Sequence, residues 1–287
     1  MVDKPAGLTS HDVVARVRRI AGTRRVGHTG TLDPMATGVL VLCLGKATRL
    51  IPYIEEMGGV DAKEYEAEIR FGFEMTTDDA EGEPRGEAVS AAALTAADVA
   101  AALAAFAGEI EQVPPAFSAK KVAGERAYAM ARRGEDVDLK PVRVHVGSAE
   151  LLGLDGDVAC VRFACSRGTY IRALARDLGR ALGVGAHLVS LRRTRSGVAD
   201  LGRAVRLDGL APESLGAALI PMMAALETWP SVTAGDPETA DLRLGRAVNL
   251  GKARDTAGAR VRICDREGRL VALASSDGSR MQPFCVF

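Results

Sequence analysis

Cysteine is scarce in this sequence and shows no pairing pattern. The five cysteines are Cys43, Cys160, Cys165, Cys264 and Cys285, and no two of them have the C-x-x-C spacing of a zinc or redox site. An odd number of scattered cysteines also argues against a disulfide framework. We therefore expect buried, unreactive thiols and a cytoplasmic location.

Long apolar runs and cofactor signatures are missing as well. No stretch approaches the roughly 18 apolar residues that a membrane-spanning helix needs, and Asp3 and Pro5 predict that no signal peptide begins the chain. Neither G-x-x-x-x-G-K-[ST] nor G-x-G-x-x-G occurs, nor does the G-x-S-x-G elbow. The four histidines lie far apart, with no partner cysteines. We expect no cofactor, no metal and no membrane association.

A surplus of one charge is also absent, since 37 basic residues balance 37 acidic ones. A neutral chain is mild evidence against a nucleic-acid partner. The charges are segregated, however: residues 61–87 carry ten acids against three bases, and residues 161–200 carry eight arginines against two acids. A basic face towards phosphates is therefore still compatible with the composition, as is an ordinary solvated surface.

Hydrophobic periodicity predicts helices and strands in irregular order. Residues 9–22 indicate a helix that Thr9 or Ser10 can cap and in which Val13, Val17 and Ile20 share one face. Further helices are predicted at residues 95–108 and 170–182, and strands at residues 38–45, 65–73, 142–146, 158–164 and 186–191. This order favours an α+β fold. From residue 230 onward, short strand-like runs between turns predict a small, separate, mostly β domain.

A polar, glycine-containing loop at residues 27–34 precedes the buried strand and is a candidate site. Its one acidic residue is Asp33, which Pro34 biases away from helical geometry. Gly27 and Gly30 would let the backbone approach a ligand closely. A plain Asp-Pro turn is the simpler explanation of this segment taken alone.

Two arginine-containing segments could serve such a site. In residues 165–172 a strand ends in Ser166-Arg167-Gly168-Thr169, and a helix begins near Tyr170, so that Arg172 in the first turn could pair with a carboxylate. In residues 191–197, three arginines could line a phosphate track. Solvated strand and helix ends are the alternative for both segments.

Taken together, these segments resemble the TruB family of tRNA pseudouridine synthases. The closest likeness is the run from Gly27-His28-Thr29-Gly30-Thr31-Leu32-Asp33-Pro34 through Gly38-Val39-Leu40 to Gly45-Lys46-Ala47-Thr48-Arg49. Further matches follow in the family's order: Asp3-Lys4-Pro5, Tyr65, Val113-Pro114-Pro115, Gly168-Thr169-Tyr170-Ile171-Arg172, and Leu191-Arg192-Arg193. The similarity covers roughly residues 1–200.

The resemblance implies a pseudouridine synthase fold, with a mixed, largely antiparallel central sheet flanked by helices and loops and a small C-terminal β-rich domain. It also implies isomerisation of uridine 55 in the T-loop of tRNA to pseudouridine, by an enzyme without cofactor or metal. We expect a cytoplasmic monomer, since one tRNA arm needs one site. The N1–C1′ bond breaks, the uracil turns, and the ring is rejoined through C5. Residues 1–229 would form the catalytic domain, residues 118–141 an insertion that clamps RNA, and residues 230–287 a PUA-like RNA-binding domain.

The resemblance also implies the roles of individual residues. Asp33 would be the essential carboxylate, acting as a nucleophile or by stabilising charge, and Arg172 would pair with it. Tyr65 would stack on the flipped base, and Tyr170 would accept or relay the C5 proton. Substrate contacts would come from His28, Leu191, Lys4, Lys120, Lys121, Arg132, Arg133, Arg192 and Arg193.

Two other functions stay open on the sequence. A non-catalytic RNA-binding protein that assists tRNA folding would not need Asp33. A synthase acting on another RNA would need the same side chains but would not recognise a T-arm stem-loop.

Overall fold

A large mixed β-sheet contains most of the strands, and helices pack on it. The computed structural model describes residues 1–118, 120–122, 124–135, 137–251 and 256–287, with the backbone alone for Lys121, Val122, Arg126, Ala129 and Arg132. Its α-helices are α1 (Ser10–Ala21), α2 (Ile51–Glu56), α3 (Ala96–Ala104), α4 (Ala127–Arg132), α5 (Ile171–Ala181), α6 (Pro212–Ala218), α7 (Met222–Ala225) and α8 (Asp236–Arg243). Its strands are β1 (Val2–Lys4), β2 (Val26–Thr29), β3 (Thr37–Leu44), β4 (Lys63–Phe71), β5 (Glu74–Met75), β6 (Pro84–Arg85), β7 (Gly108–Gln112), β8 (Lys121–Val122), β9 (Glu125–Arg126), β10 (Val142–Asp155), β11 (Val158–Cys165), β12 (Ala186–Ser196), β13 (Ala199–Asp200), β14 (Val205–Arg206), β15 (Ser231–Thr233), β16 (Arg260–Cys264), β17 (Leu270–Ser276) and β18 (Met281–Val286).

The chain divides into two compact units, the first of which comprises Met1–Ala15, Gly30–Val41 and Gly58–Gly209. Its sheet has the strand order β14-β1-β3-β12-β4-β11-β10-β7. The pairs β1–β14 and β3–β12 are parallel, and the other neighbours along this path are antiparallel. The expected α+β class, with a mixed and largely antiparallel sheet, is confirmed.

The core of the first unit lies between this sheet and helix α5. Strand β4 alternates as predicted, with Tyr65, Ala67 and Ile69 buried on one face. Helix α5 places Leu174 and Leu178 in the same core. The apolar face of α5 therefore fixes the position of its first turn, which contains Arg172.

Helix α1 begins one residue later than predicted, because Thr9 is its cap. The Asp12 backbone N–H donates to Thr9 Oγ1 (3.1 Å), and the Thr9 N–H donates to Asp12 Oδ2 (2.9 Å). This reciprocal capping box satisfies two N–H groups at the start of the helix. It also fixes Ser10, the first helical residue, whose side chain reaches the candidate site.

The second compact unit comprises Arg16–Thr29, Leu42–Met57 and Leu210–Phe287. It contains a four-stranded sheet in the order β15-β16-β17-β18. One side of this sheet packs in a core that includes Val232, Ile263 and Met281. The predicted small C-terminal β sheet is thus present, whereas the boundary at residue 229 stays a prediction.

Candidate active site

The loop around Asp33 is held by hydrogen bonds on both sides of the aspartate. Ser10 Oγ accepts a hydrogen bond from the Leu32 N–H (2.9 Å) and donates one to the Leu32 carbonyl (3.2 Å). On the other side, the Gly7 N–H donates to the carbonyl of Pro34 (2.9 Å). Asp33 therefore lies between two anchored peptide units, and its side chain projects from a fixed backbone.

Asp33 and Arg172 form a bidentate ion pair, although 139 positions separate them in the chain. Arg172 Nε donates to Asp33 Oδ2 (2.9 Å), and Arg172 Nη2 donates to Oδ1 (3.1 Å). The Arg172 side chain is 6% exposed, whereas that of Asp33 is 34% exposed. The guanidinium thus orients the carboxylate from its buried side and leaves the exposed side of the carboxylate open to a ligand.

The remaining donors of Arg172 connect two further segments to the site. Nη1 donates to the Thr77 carbonyl (3.1 Å), and Nη2 also donates to the Phe117 carbonyl (3.0 Å). Asp79 Oδ2 lies 3.5 Å from Nη1, and its side chain is as buried as that of Arg172. A buried guanidinium between two carboxylates and two carbonyls has little rotational freedom.

A second arginine of α5 makes a parallel set of contacts that the sequence did not reveal. Arg176 Nη1 donates to Asp78 Oδ2 (2.8 Å), and Nη2 donates to the Val113 carbonyl (2.9 Å). Asp78 has a backbone φ of 61°, the left-handed region, which aspartate tolerates better than most residues. Arg172 and Arg176, one turn apart, therefore tie both the 77–79 turn and the 113–117 segment to α5.

The two predicted tyrosines lie in different settings. Tyr65 is buried on β4, and burial raises the pKa of its phenol, an effect that the nearby Arg193 opposes and Asp33 reinforces. Tyr170 is half-buried at the cap of α5, two residues before Arg172. Leu191, the predicted pocket wall, is buried on β12 beside Ala67 of β4.

Gln112 holds Tyr170 in place and was missed from the sequence. Its side-chain Nε2 donates to the Tyr170 carbonyl (3.0 Å), and its Oε1 accepts from the Tyr170 N–H (2.9 Å). Gln112 is completely buried at the end of β7. No sequence pattern marks a single polar residue at a strand end as a partner of a helix cap far along the chain.

If Tyr170 has the predicted role, replacing Gln112 with leucine is expected to slow pseudouridine formation by roughly 10- to 100-fold, because a shifted tyrosine would be misaligned with the substrate. Stability should fall by about 1–3 kcal/mol, since the Tyr170 N–H loses its partner and the Tyr170 carbonyl keeps only the Leu174 N–H. Single-turnover kinetics and thermal unfolding measure the two effects. The exposed Gln282→Leu is the matched control, and equal rates in both variants would contradict the role assigned to Gln112.

Lys4 is also completely buried. Its ammonium donates to the carbonyls of Pro5 (2.9 Å), Leu8 (2.6 Å) and Pro34 (3.1 Å), and thereby holds the loop that follows Asp33. Burial lowers the pKa of Lys4 from 10.5 to about 8, against the opposing effect of the Asp33 charge. That Lys4 contacts RNA stays a prediction, and the contacts seen here are all within the protein.

The depressed pKa of Lys4 predicts how stability depends on pH. Below about pH 8 the amine is protonated in both the folded and the unfolded chain, whereas between about 8 and 10.5 only the unfolded chain binds the proton. The stability of the wild type relative to Lys4→Met should therefore rise across that window, by up to ~1.4 kcal/mol per pH unit. Chemical denaturation at about pH 7 and about pH 9.5 measures it, with the exposed Lys140→Met as control. A difference that is constant with pH would contradict the buried ammonium.

The other predicted RNA contacts are spread over the described chain. Arg192 is partly exposed and pairs with Asp3 (2.9 Å), whereas Arg193 is completely buried. Arg133 is half-exposed, and its guanidinium pairs with Glu125 and Glu135. Lys120 is partly exposed, and His28 belongs to the second compact unit. The side chains of Lys121 and Arg132 lie outside the described residues, and RNA contact stays a prediction for all of these residues.

Among the residues that the structure describes, no group of three or more His, Cys, Asp or Glu side chains is arranged to hold a metal ion. None of the helices in the same residues combines the length and apolar character needed to cross a bilayer.

Two solved structures share this fold along nearly the whole chain. One is the crystal structure of a Cbf5-Nop10-Gar1 complex, with a TM-score of 0.69 and 29% identity over 99% of this chain and 83% of that chain. The other is an H/ACA RNP bound to a substrate RNA containing 2′-deoxyuridine, with a TM-score of 0.70 and 26% identity over 100% of this chain and 83% of that chain. The fold is thus that of a pseudouridine synthase.

Sequence comparison narrows this class to one family. The model described as "TruB family pseudouridylate synthase (N terminal domain)" matches residues 18–171, and "tRNA pseudouridylate synthase B C-terminal domain" matches residues 172–227. A tRNA pseudouridine synthase B of Leifsonia xyli is 48% identical over 100% of this chain and 95% of its own length. One of Thermobifida fusca is 48% identical over 100% and 97%, respectively. The chain belongs to the TruB family of pseudouridylate synthases.

Proposed function

We propose that this protein converts uridine 55 in the T-loop of tRNA to pseudouridine. The observation that carries the proposal is the carboxylate of Asp33, oriented by two hydrogen bonds from Arg172 and exposed on its other side. The names of the tRNA pseudouridine synthase B relatives support tRNA as the substrate. The assignment of the target to position 55 rests on the motif that this chain shares with the family.

The reaction can be assigned to side chains of this site. The target base has to leave its stack to reach Asp33, and Tyr65 and Leu191 would receive it. Asp33 acts at the sugar or the base, as nucleophile or by stabilising charge, while the N1–C1′ bond breaks. The uracil turns, a C1′–C5 bond forms, and Tyr170 accepts or relays the C5 proton to solvent, while N1 takes up one proton from solvent. Atoms and electrons balance without an added reagent, because the reaction is an isomerisation.

The rest of the chain would hold the RNA. We infer that residues 118–141 clamp the T-arm and that residues 230–287 form a PUA-like RNA-binding domain. The second inference is supported by the core that packs on the C-terminal sheet. One site for one T-arm further suggests a monomer, and tRNA as substrate suggests a cytoplasmic enzyme.

A T-arm stem-loop transcript with tritium at uridine C5 tests the proposal. We expect tritium release, together with a carbodiimide-reactive pseudouridine at position 55 alone. The control transcript has cytidine at that position and should release nothing. Absence of product on the T-arm together with product on another RNA would overturn the substrate assignment.

A further inference from the structure

Arg193 has the largest fully buried side chain among the described residues. A buried guanidinium is stable only when its donors are bonded within the protein, because desolvation otherwise costs several kcal/mol. An arginine that binds an RNA phosphate has the opposite requirement, since its donors must be free and accessible. The burial of Arg193 therefore calls for a role inside the fold.

The donors of Arg193 contact backbone carbonyls on both sides of Asp33. Nε donates to the Val39 carbonyl (2.7 Å), and Nη2 donates to the Gly30 carbonyl (3.1 Å). Nη1 makes a longer contact of 3.5 Å with the carbonyl of Thr31. One side chain thus joins the loop before Asp33 to the strand after it.

The same arginine reaches the predicted base-binding tyrosine. Arg193 and Tyr65 are paired directly across strands β12 and β4. Side chains in such a pair project from the same face, with Cβ atoms about 4.5–5.5 Å apart. Tyr65 also shares a hydrophobic core with Leu32 and Ala36, which lie on the two sides of Asp33. Burial raises the pKa of the Tyr65 phenol, the charge of Arg193 lowers it, and the charge of Asp33 raises it.

Strand β12 and Arg193 are closely packed against the residues that flank Asp33. On its other side β12 pairs with β3, where Arg193 lies opposite Gly38. A Cβ atom on Gly38 would lie 2.2 Å from the Arg193 carbonyl oxygen, and φ at Gly38 is +102°. A Cβ atom on Gly30 would lie 3.5 Å from Arg193 Nη1. Glycines at both positions therefore allow β12 and its arginine to approach the loop.

We propose that Arg193 is a positioning residue, which holds the Tyr65 side chain against the loop of Asp33. This inference rests on the proposed function, because it assigns Tyr65 to the uracil. Arg193 acts through Tyr65 and the loop, and does not touch the RNA.

Arg193→Lys tests the proposal, because lysine keeps the charge but lacks the separate Nε and Nη donors that bond the Val39 and Gly30 carbonyls. Single-turnover tritium release from the T-arm is expected to fall at least about tenfold. The Kd for the T-arm and its dependence on salt should stay unchanged, whereas loss of a phosphate contact reduces the salt slope by about 0.7–0.9. Arg162→Lys is the matched control and should keep the wild-type rate, since Arg162 is partly exposed on β11, which pairs with the other edge of β4. A normal rate with a reduced salt slope in Arg193→Lys would overturn the proposal.

A double variant separates positioning from general damage to the fold. We expect the fold-loss in rate of the double variant Arg193→Lys with Tyr65→Phe to be at least about threefold smaller than the product of the two single fold-losses. Neighbouring residues that act together are coupled in this way. Losses that multiply fully would show that Arg193 does not act through Tyr65 and would overturn the proposal.

Arginine labelling of the wild type needs neither a variant nor turnover. Phenylglyoxal followed by peptide mass mapping should modify Arg162 and leave Arg193 unmodified, with or without T-arm RNA. Modification of Arg193 in the free protein, and protection by RNA, would show an accessible RNA contact and overturn the proposal. A wild type that is inactive on the T-arm would instead refute the proposed function, while the labelling result would still decide the burial of Arg193.

Discussion

Asp33→Asn is expected to abolish pseudouridine formation on the T-arm while RNA binding persists. Removal of a catalytic nucleophile lowers turnover by more than about 10⁴-fold in other enzymes, and we expect a loss of that scale. Asparagine has nearly the same shape, but it has one acceptor oxygen where Arg172 now meets two. It offers neither a nucleophile nor a negative charge to the sugar. Tritium release measures the loss, and filter binding measures RNA affinity.

The asparagine variant must be shown to fold. One lost charge-assisted hydrogen bond should lower the free energy of unfolding by about 1–3 kcal/mol, which thermal unfolding detects. Asp157→Asn is the matched control, because Asp157 pairs with Arg70 at 3.7 Å and its side chain is 54% exposed. Turnover by Asp33→Asn within tenfold of this control would refute the catalytic role of Asp33. It would also favour the alternative of a protein that binds and remodels tRNA.

Local patterns in the sequence predicted the elements that build this site. The alternation of Tyr65, Ala67 and Ile69 predicted the buried face of β4, because the two-residue period of a strand is visible in the sequence. The cap at Thr9 and the apolar spacing after it predicted α1 to within one residue at each end. Such features depend only on neighbouring residues.

The ends of two strands could not be predicted in this way. Strand β10 runs from Val142 to Asp155, far beyond the predicted residues 142–146, and its register shifts at two irregularities between Val146 and Gly153. These shifts interrupt the alternation of buried and exposed residues, so the sequence pattern ends although the strand continues. Strand β12 likewise continues through its arginines to Ser196, because partners on β4 and β13 bind its backbone.

The buried polar side chains that support the site from inside the fold were the hardest residues to predict. Lys4 and Arg193 were predicted as RNA contacts from their place in segments that resemble the TruB family, and those contacts stay predictions. Both are completely buried, each bonded to carbonyls of the Asp33 loop or its flanks. The strand pairing that encloses these residues forms between distant parts of the chain, and nothing in their local sequence indicates it. Gln112 is a third example, since its partner Tyr170 lies 58 positions away.

Arg172→Met should remove most of the activity and much of the stability. Asp33 would lose the two hydrogen bonds that orient its carboxylate. A displacement of about 1 Å lowers the rate on the order of 10²-fold. Asp79 has 6% of its side chain exposed and would be left beside an apolar group. Breaking a buried ion pair from one side costs about 3–5 kcal/mol, because the other charge remains uncompensated.

A second substitution separates these two effects of Arg172. Adding Asp79→Asn to Arg172→Met removes the uncompensated charge, so part of the lost stability should return, while turnover stays low because Asp33 still lacks its partner. Arg180→Met is the matched control on the same helix, since Arg180 is 51% exposed and pairs with Glu74. A surface pair of this kind contributes about 0–1 kcal/mol. If the double variant recovered turnover together with stability, Arg172 would act through the fold alone. Stability without turnover would instead establish that the guanidinium aims the carboxylate of Asp33 at the substrate.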